Sequence, residues 1–285
     1  TMSIRTLRFV SILLLSGCQG LPSKSEGPGP GMAPAPSRVD EVKDLKAVTA
    51  ALDVARTKKT LLVLDIDDTL LTSREFFGSD AWYEWEKSLP ESQKVACKFD
   101  LLALNFEAGT QVLTQTDAPT LVNALTVDRI LLTSRGANYR AGTIRELKHF
   151  GYQLPAPLGN PTRGSMWIWT DPETKRAVPV SYDNGVFMTT GANKGLVLLD
   201  LLKERGLNYD HIILADDGRR NIDNMQAALA KAGISYHGLW YTLIDKTVSD
   251  EEAQAGKAGW EAWKSLLRTV YPERWARFEQ NKCFN

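Results

Sequence analysis

Residues 60–70 read TLLVLDIDDTL, a short apolar run that stops abruptly at Asp65, Asp67 and Asp68, followed by Thr69. Residues 60–64 are rich in branched apolar side chains and too few for a helix, so they predict a fully buried strand. A strand flanked by helices ends at the carboxyl edge of an α/β sheet, where such folds bind ligands. Asp65 and Asp67 then stand together at that edge. Carboxylates packed this closely repel unless a cation or a shared proton lies between them, so the pair asks for a metal.

The rest of the chain supplies the sheet and its helices. Val39, Val42, Leu45, Val48, Leu52 and Ala55 recur at near-helical spacing, which predicts an amphipathic helix over 39–57. Residues 71–126 read as an inserted helical cap, with Phe76, Phe77, Trp82, Tyr83 and Trp85 clustered early. Strands are predicted at 127–132, 211–215 and 234–240, and helices at 138–150, 194–205, 222–232 and from about 249 onward. Residues 152–191 are rich in Pro and Gly with short strand-like pieces (MWIW, VPVSY, GVFMTT), which suggests a small antiparallel excursion. Alternating strands and helices imply an α/β fold, a Rossmann-like three-layer parallel sheet covered on both faces.

The front of the chain is of another kind. Arg5 and Arg8 precede an apolar stretch at 9–15 that is too short to span a bilayer and fits the h-region of a secretory signal. It ends in Leu15-Ser16-Gly17-Cys18, which resembles the lipobox of bacterial lipoproteins, where the cysteine is acylated and the chain is cut before it. That resemblance implies residues 1–18 as signal and lipidated Cys18, a membrane partner through the anchor, and a place in the bacterial cell envelope. Gln19 after the cysteine favours the outer membrane in a cell that has two. Residues 19–37 are dense in Gly, Pro and Ser and read as a disordered tether, with the folded part from about 38 to 285. Cys97 and Cys283 are the remaining cysteines, and an oxidising compartment permits them to pair; their separation along the chain leaves open whether they meet. The 285 residues carry 34 basic and 34 acidic side chains, a balance that disfavours a nucleic acid polymer as partner.

Further motifs follow the acidic strand. Residues 127–132 lead into Thr133-Ser134-Arg135, a hydroxyl at a second strand tip, with Ser134 beside it as a candidate substrate contact. Lys194 stands at a predicted helix start, where the helix dipole disfavours a cation unless negative charge lies close by. HIILA then ends in Asp216-Asp217, a third strand tip with paired carboxylates. Asp-x-Asp-x-Thr, then Ser/Thr, then Lys, then Asp-Asp resembles the haloacid dehalogenase-like superfamily of phosphatases over about residues 60–240. Within it, LDIDDTLLTSREF, AWYEWE and LLTSRGANYRAGTIRELKHFGY are similar to the class C acid phosphatases, many of them secreted lipoproteins, or to a branch near them. The last motif, ADDGRRNIDN, departs from the class C pattern, so substrate preference is not carried over.

The resemblance implies a Mg2+-dependent phosphomonoesterase acting on a small phosphorylated substrate. It implies Asp65 as the nucleophile that accepts the phosphoryl group and Asp67 as general acid and then base. Thr133 holds a phosphoryl oxygen, and Lys194 neutralises Asp65 and the phosphate. Asp65, Asp67 (through its backbone carbonyl), Asp216 and Asp217 hold the Mg2+. Elementary electrostatics agrees: at about 3.5 Å and an effective dielectric near 20, each like-charge pair costs roughly 5 kcal/mol. A hard divalent ion on carboxylate oxygens and one ammonium offset that repulsion.

Plainer roles compete. Asp68 and Thr69 can cap a turn, Lys194 can be a solvated lysine, and Asp217 can be a structural hydrogen-bond acceptor, with Asp223 as the second acid in its place. His149, His211 and His237 lack metal-ligand spacing and read as ordinary packed or half-exposed residues. Trp82 and Trp85 are either cap core or a platform for a base or aromatic leaving group. Two other functions are a surface lipoprotein that keeps the scaffold for binding and a hydrolase that cleaves halides or phosphonates. Asp67 argues against dehalogenation, because the family's dehalogenases place no acid/base there, and phosphonate cleavage would need a Schiff-base lysine in the cap, with Lys87, Lys94 and Lys98 as candidates.

Overall fold

The computed structural model describes residues 35–284, so Cys18, the signal and most of the tether lie outside the described residues. The chain enters through β1 (Ser37–Val42), α1 (Lys46–Val54) and β2 (Thr60–Leu64). It then makes an excursion through β3 (Leu71–Ser73), α2 (Asp80–Ser88), α3 (Lys98–Ala108), β4 (Gln111–Leu113) and α4 (Ala118–Asn123). β5 (Arg129–Thr133) and α5 (Arg140–His149) restore the alternation, and β6 (Met166–Thr170), β7 (Ala177–Asp183) and β8 (Val186–Met188) follow. The remainder is α6 (Lys194–Glu204), β9 (His211–Asp216), α7 (Arg219–Ala232), β10 (Ser235–Tyr241), α8 (Asp250–Val270) and α9 (Pro272–Glu279).

Eight strands form one sheet in the order β1-β10-β9-β2-β5-β8-β7-β6. The pairs from β1 through β8 are parallel, while β7 runs antiparallel to both β8 and β6. The expected α/β architecture is therefore present. β2 sits at its centre with Leu61 to Leu64 at 0% exposure, and alternate residues face opposite layers. Leu62 and Leu64 pack with Val48 and Ala51 of α1 and Leu147 of α5. Leu61 and Val63 pack with Val197 and Leu201 of α6 and Met225 and Leu229 of α7. Burial of each such side chain is worth about 1.5–3 kcal/mol, so the strand that carries the acids is anchored from both sides.

One expectation needs correction. Residues 37–42 form a strand, not the start of a helix: Val39 pairs with Gly238 of β10, and the helix begins only at Lys46. The apolar spacing fits both periods, and pairing with a distant strand decides between them. The strands at 166–188 do run antiparallel to one another, and they join the main sheet. β8 lies parallel to β5, with Leu132 opposite Phe187, so β6 and β7 extend the main sheet at its edge.

The excursion is closed at its base by β3 and β4, which pair antiparallel with Leu71 opposite Leu113. Trp82 and Phe77 pack together within it (ring centroids 4.8 Å apart), and α8 lies against the same cluster. A Cβ on Gly256 would come within 3.2 Å of Phe76, Trp82 and Trp85, so the helix approaches on its glycines. Cys97 and Cys283 form a disulfide with Cα atoms 5.2 Å apart, and the backbone N–H of Phe284 donates to Asp100 Oδ2 at 3.0 Å. The C-terminal tail is thus tied to the start of α3.

Gly195 sets how closely α6 meets α7. A Cβ there would lie 2.7 Å from Ala228 Cβ and 2.7 Å from the Asn224 carbonyl oxygen, contacts that the two helices cannot relieve without moving. Gly195→Val should destabilise the fold by about 1–3 kcal/mol in urea unfolding; unchanged stability would show that the helices give way freely.

Candidate active site

The carboxyl ends of β9, β2 and β5 lie side by side because those strands are neighbours in register. Leu64 pairs with both Ala215 and Leu131, so Asp65, Asp216 and Thr133 emerge along one edge. The backbone N–H of Asp65 donates to the Ala215 carbonyl at 3.0 Å, which continues the ladder one residue past β2. Asp65, Thr133, Lys194 and Asp216 are all buried there.

Lys194 joins them. Its Nζ lies 2.6 Å from Asp65 Oδ1 and 2.7 Å from Asp216 Oδ2, and the residue is 1% exposed. Asn193 caps α6 by accepting from the N–H groups of Gly195 and Leu196, which leaves Lys194 as the first helical residue, aimed back at the edge. The dipole at that end opposes a cation, and two carboxylates outweigh it. Asp216 is held further by Gly218 N (2.8 Å) and Asn221 Nδ2 (3.0 Å), both donating to Oδ1.

The acids differ in their protonation preferences. Burial pushes the Asp65 carboxyl well above its ordinary value; Lys194 opposes this, while Asp216, Asp217 and Asp67 add to it. Burial likewise pushes Asp217 up to about 7, with the neighbouring Asp216 charge reinforcing it and Lys246 opposing. Asp67 goes the other way. Burial would raise it, yet the charge and hydrogen bonds of Arg135 win and hold it below the ordinary range.

Arg135 was not singled out from the sequence. Its Nε donates to Asp67 Oδ2 at 2.9 Å and its Nη2 to Oδ1 at 2.7 Å, a two-pronged clasp, while Nη1 donates to Thr143 at 2.9 Å. Its guanidinium carbon lies 4.0 Å from the Phe106 ring centroid, on α3. The signal was present in TSR: residues 133 and 135 share a face of an extended segment, so a cation two places beyond the tip hydroxyl points at the same edge. Thr133 Oγ1 accepts from the Arg135 backbone N–H at 3.1 Å and lies 3.5 Å from Asp67 Oδ2.

The other candidates are elsewhere. Ser134 is exposed beside the edge, and its carbonyl accepts from Gly191 N. Trp82 is 1% exposed and packed on Phe77, so it offers no face to a ligand; Trp85 packs edge-on against Phe76. Asp223 pairs with Arg219 on the surface, which leaves Asp217 as the acid beside Asp216. Lys87 and Lys94 pair with Glu84 and Glu91, and Lys98 with buried Glu86, so none of the three is presented as a free amine to the edge. His211 bonds Ser235 and His237 bonds Asp40, while His149 packs edge-on against Phe150.

The donor set suits a hard divalent cation. Asp65, Asp216 and Asp217 each bring a carboxylate oxygen to within 4.8 Å of the others, all oxygen and all anionic. Lys194 offsets only part of that charge. A divalent cation held here would need Asp217 as carboxylate, so binding would release its proton when the pH is below about 7. The apparent Mg2+ affinity should then fall by up to roughly tenfold per pH unit on going down from there, with a proton released on binding in calorimetry. Affinity that stays flat across that range would contradict the assignment.

No curated protein matches the chain. Among solved structures, it is similar to the class C acid phosphatase from Bacillus anthracis at 14% identity, over 75% of this chain and 83% of that one, with a TM-score of 0.36. It is also similar to the HAD domain of the effector protein Lem4 from Legionella pneumophila in an inactive mutant form, at 13% identity, over 74% and 93% of the two chains, with a TM-score of 0.33. Residues 39–272 match the family described as "Protein of unknown function (DUF2608)", and the chain belongs to that family.

Proposed function

We propose that this protein is a phosphomonoesterase that hydrolyses a small phosphate ester in two displacements through an aspartyl-phosphate at Asp65, with Mg2+ as its cofactor. The observation that carries the reading is the Lys194 ammonium bound to Asp65 and Asp216 at once, on an edge shared with Asp67 and Thr133. A buried carboxylate oriented by a lysine is placed to attack, and a divalent cation on the neighbouring acids would offset the negative charge that a phosphate ester brings.

In the first displacement an Asp65 oxygen attacks phosphorus while the bond from phosphorus to the ester oxygen breaks. Asp67, in its protonated form, passes its proton to that leaving oxygen. In the second, Asp67 as carboxylate takes a proton from the attacking water, the acyl phosphate bond breaks, and Asp65 returns to a carboxylate with release of phosphate. Thr133 donates its hydroxyl to a phosphoryl oxygen. Asp65, Asp216 and Asp217, with the Asp67 backbone carbonyl, would hold Mg2+, which supplies Lewis-acid neutralisation of the phosphoryl charge. Arg135 favours the base form of Asp67 and so assists the second displacement at the expense of the first.

The full chain should release phosphate from an aryl phosphate, and a chelator should stop it. Asp65→Asn should lower the rate by at least about a thousandfold with the fold retained. Full activity in Asp65→Asn would reject the nucleophile, and no release from any ester would favour a scaffold used for binding. At saturating Mg2+, esters with poor leaving groups should be cleaved faster as the pH falls toward the range where Asp67 protonates. Nitrophenyl phosphate, which needs little protonation, should respond less. Equal pH dependence for both would remove Asp67 from the acid role.

We also propose that the protein is anchored at the bacterial cell envelope through lipid on Cys18, facing a space outside the cytoplasm. The support is the basic flank, short apolar run and Leu15-Ser16-Gly17-Cys18 box. Labelled palmitate should enter the wild-type protein and not Cys18→Ala in a bacterial host; labelling of both would contradict it.

A further inference from the structure

Lys246 lies in the loop between β10 and α8, where no motif marked it. Its ammonium contacts the carboxylates of Asp217 and Asp80 directly and lies 3.3 Å from Asp68 Oδ2. The three acids come from three parts of the fold. Asp68 follows the nucleophile strand, Asp217 follows β9, and Asp80 opens α2 in the excursion. Their oxygens lie within 4.8 Å of one another and would repel without a cation among them. An ammonium has three protons to donate, one for each acid.

The surroundings favour a joint over a chance surface pair. The Lys246 side chain is 30% exposed, Asp217 9% and Asp68 5%. From Lys246 the chain runs through Ser249, which caps α8 in a two-way capping box with Glu252. α8 then packs through Gly256 and Gly259 on the aromatic residues around α2. Trp240 Nε1 donates to the Asp217 carbonyl at 2.9 Å, which fixes the backbone under that carboxylate. Lys246 thus touches the excursion, the nucleophile loop and the Asp216-Asp217 loop together.

We propose that Lys246 is a positioning residue that latches the excursion to the catalytic edge, holding α2 through Asp80 and orienting the Asp217 carboxylate toward Asp65 and Asp216. The orienting half rests on the phosphatase reading; the latch half does not. Lifting α2 requires the Lys246–Asp80 contact to break, whereas the Lys246–Asp217 contact can survive that motion. One lysine therefore couples the position of the excursion to the geometry of the candidate metal ligands.

The test uses the full chain and the variants Lys246→Met, Lys246→Arg, Asp80→Asn and the double variant Lys246→Met/Asp80→Asn. Hydrogen exchange over residues 80–88 should rise about tenfold or more in Lys246→Met and in Asp80→Asn, with exchange in β2 and β9 unchanged. Lys246→Arg should recover most of the protection. The double variant should exchange no faster than the faster single one, because both cut the same contact. An Asp80 that merely helps the α2 dipole would give additive effects instead, and that result overturns the latch, as does unchanged exchange in both single variants.

Kinetics on an aryl phosphate then test the orienting half. Asp80→Asn should raise KM with kcat near wild type, and Lys246→Met should also lower kcat about tenfold. Identical kinetics in the two variants would remove Asp217 from the role of Lys246. If wild type releases no phosphate, the phosphatase reading and the orienting half fail together, while the exchange data still decide the latch. If Lys246→Met does not fold, Lys246→Gln takes its place in the same comparison with Asp80→Asn and the double variant.

Discussion

A single ammonium, fully out of water at the start of α6, holds the first and last acidic strand tips together. Removing one partner from such a buried cluster leaves uncompensated charge and costs about 3–5 kcal/mol, so the strands, α6 and the edge depend on one another. The arrangement is unfavourable for Lys194 by helix dipole and by desolvation. It persists because Asp65 and Asp216 pull the other way, and their charge keeps the lysine protonated above its ordinary range. The charges are gathered at the strand tips, which is where α/β sheets bind ligands.

Around that centre the cations are divided among the acids. Lys194 serves Asp65 and Asp216, Arg135 serves Asp67, and Lys246 serves Asp68, Asp80 and Asp217. Each comes from a different loop or helix end, so the charge balance of the edge also records the relative placement of the core, the excursion and the C-terminal helix. The disulfide from Cys97 to Cys283 and the Asp100 contacts to the tail reinforce the same side of the molecule. The excursion is braced from α8 and from the tail as well as through its own two strands.

Much of the core was legible because the decisive residues follow short apolar runs. The stop after Leu64, the stop after Leu132 and the stop after Ala215 are local signals, and the strand tips they mark are neighbours in the sheet. Lys194 was legible from an electrostatic contradiction, a cation at a helix start. β1 was not, because Val39 and Val42 satisfy both periods and only pairing with β10, some two hundred residues away, selects the strand. The place of β6 and β7 in the main sheet depends on the equally remote meeting of β8 with β5. Arg135 could have been found from its two-residue offset to Thr133. Lys246 could not: it lies in an irregular loop, and its meaning resides in Asp68, Asp80 and Asp217, acids far apart along the chain that only the fold brings to it. Trp82 and Trp85 show the limit of composition, since an aromatic cluster looks alike whether it faces a ligand or α8.

The central claim is that Asp65, held by Lys194, takes up the phosphoryl group. Acid-quenched enzyme, trapped during turnover of a phosphate ester and digested, tests it directly by mass spectrometry. The account predicts the added mass of one phosphoryl group on the peptide containing residues 60–70, localised to Asp65 and absent after a chase without substrate. Steady phosphate release with no such adduct, or an adduct on another residue, would contradict it.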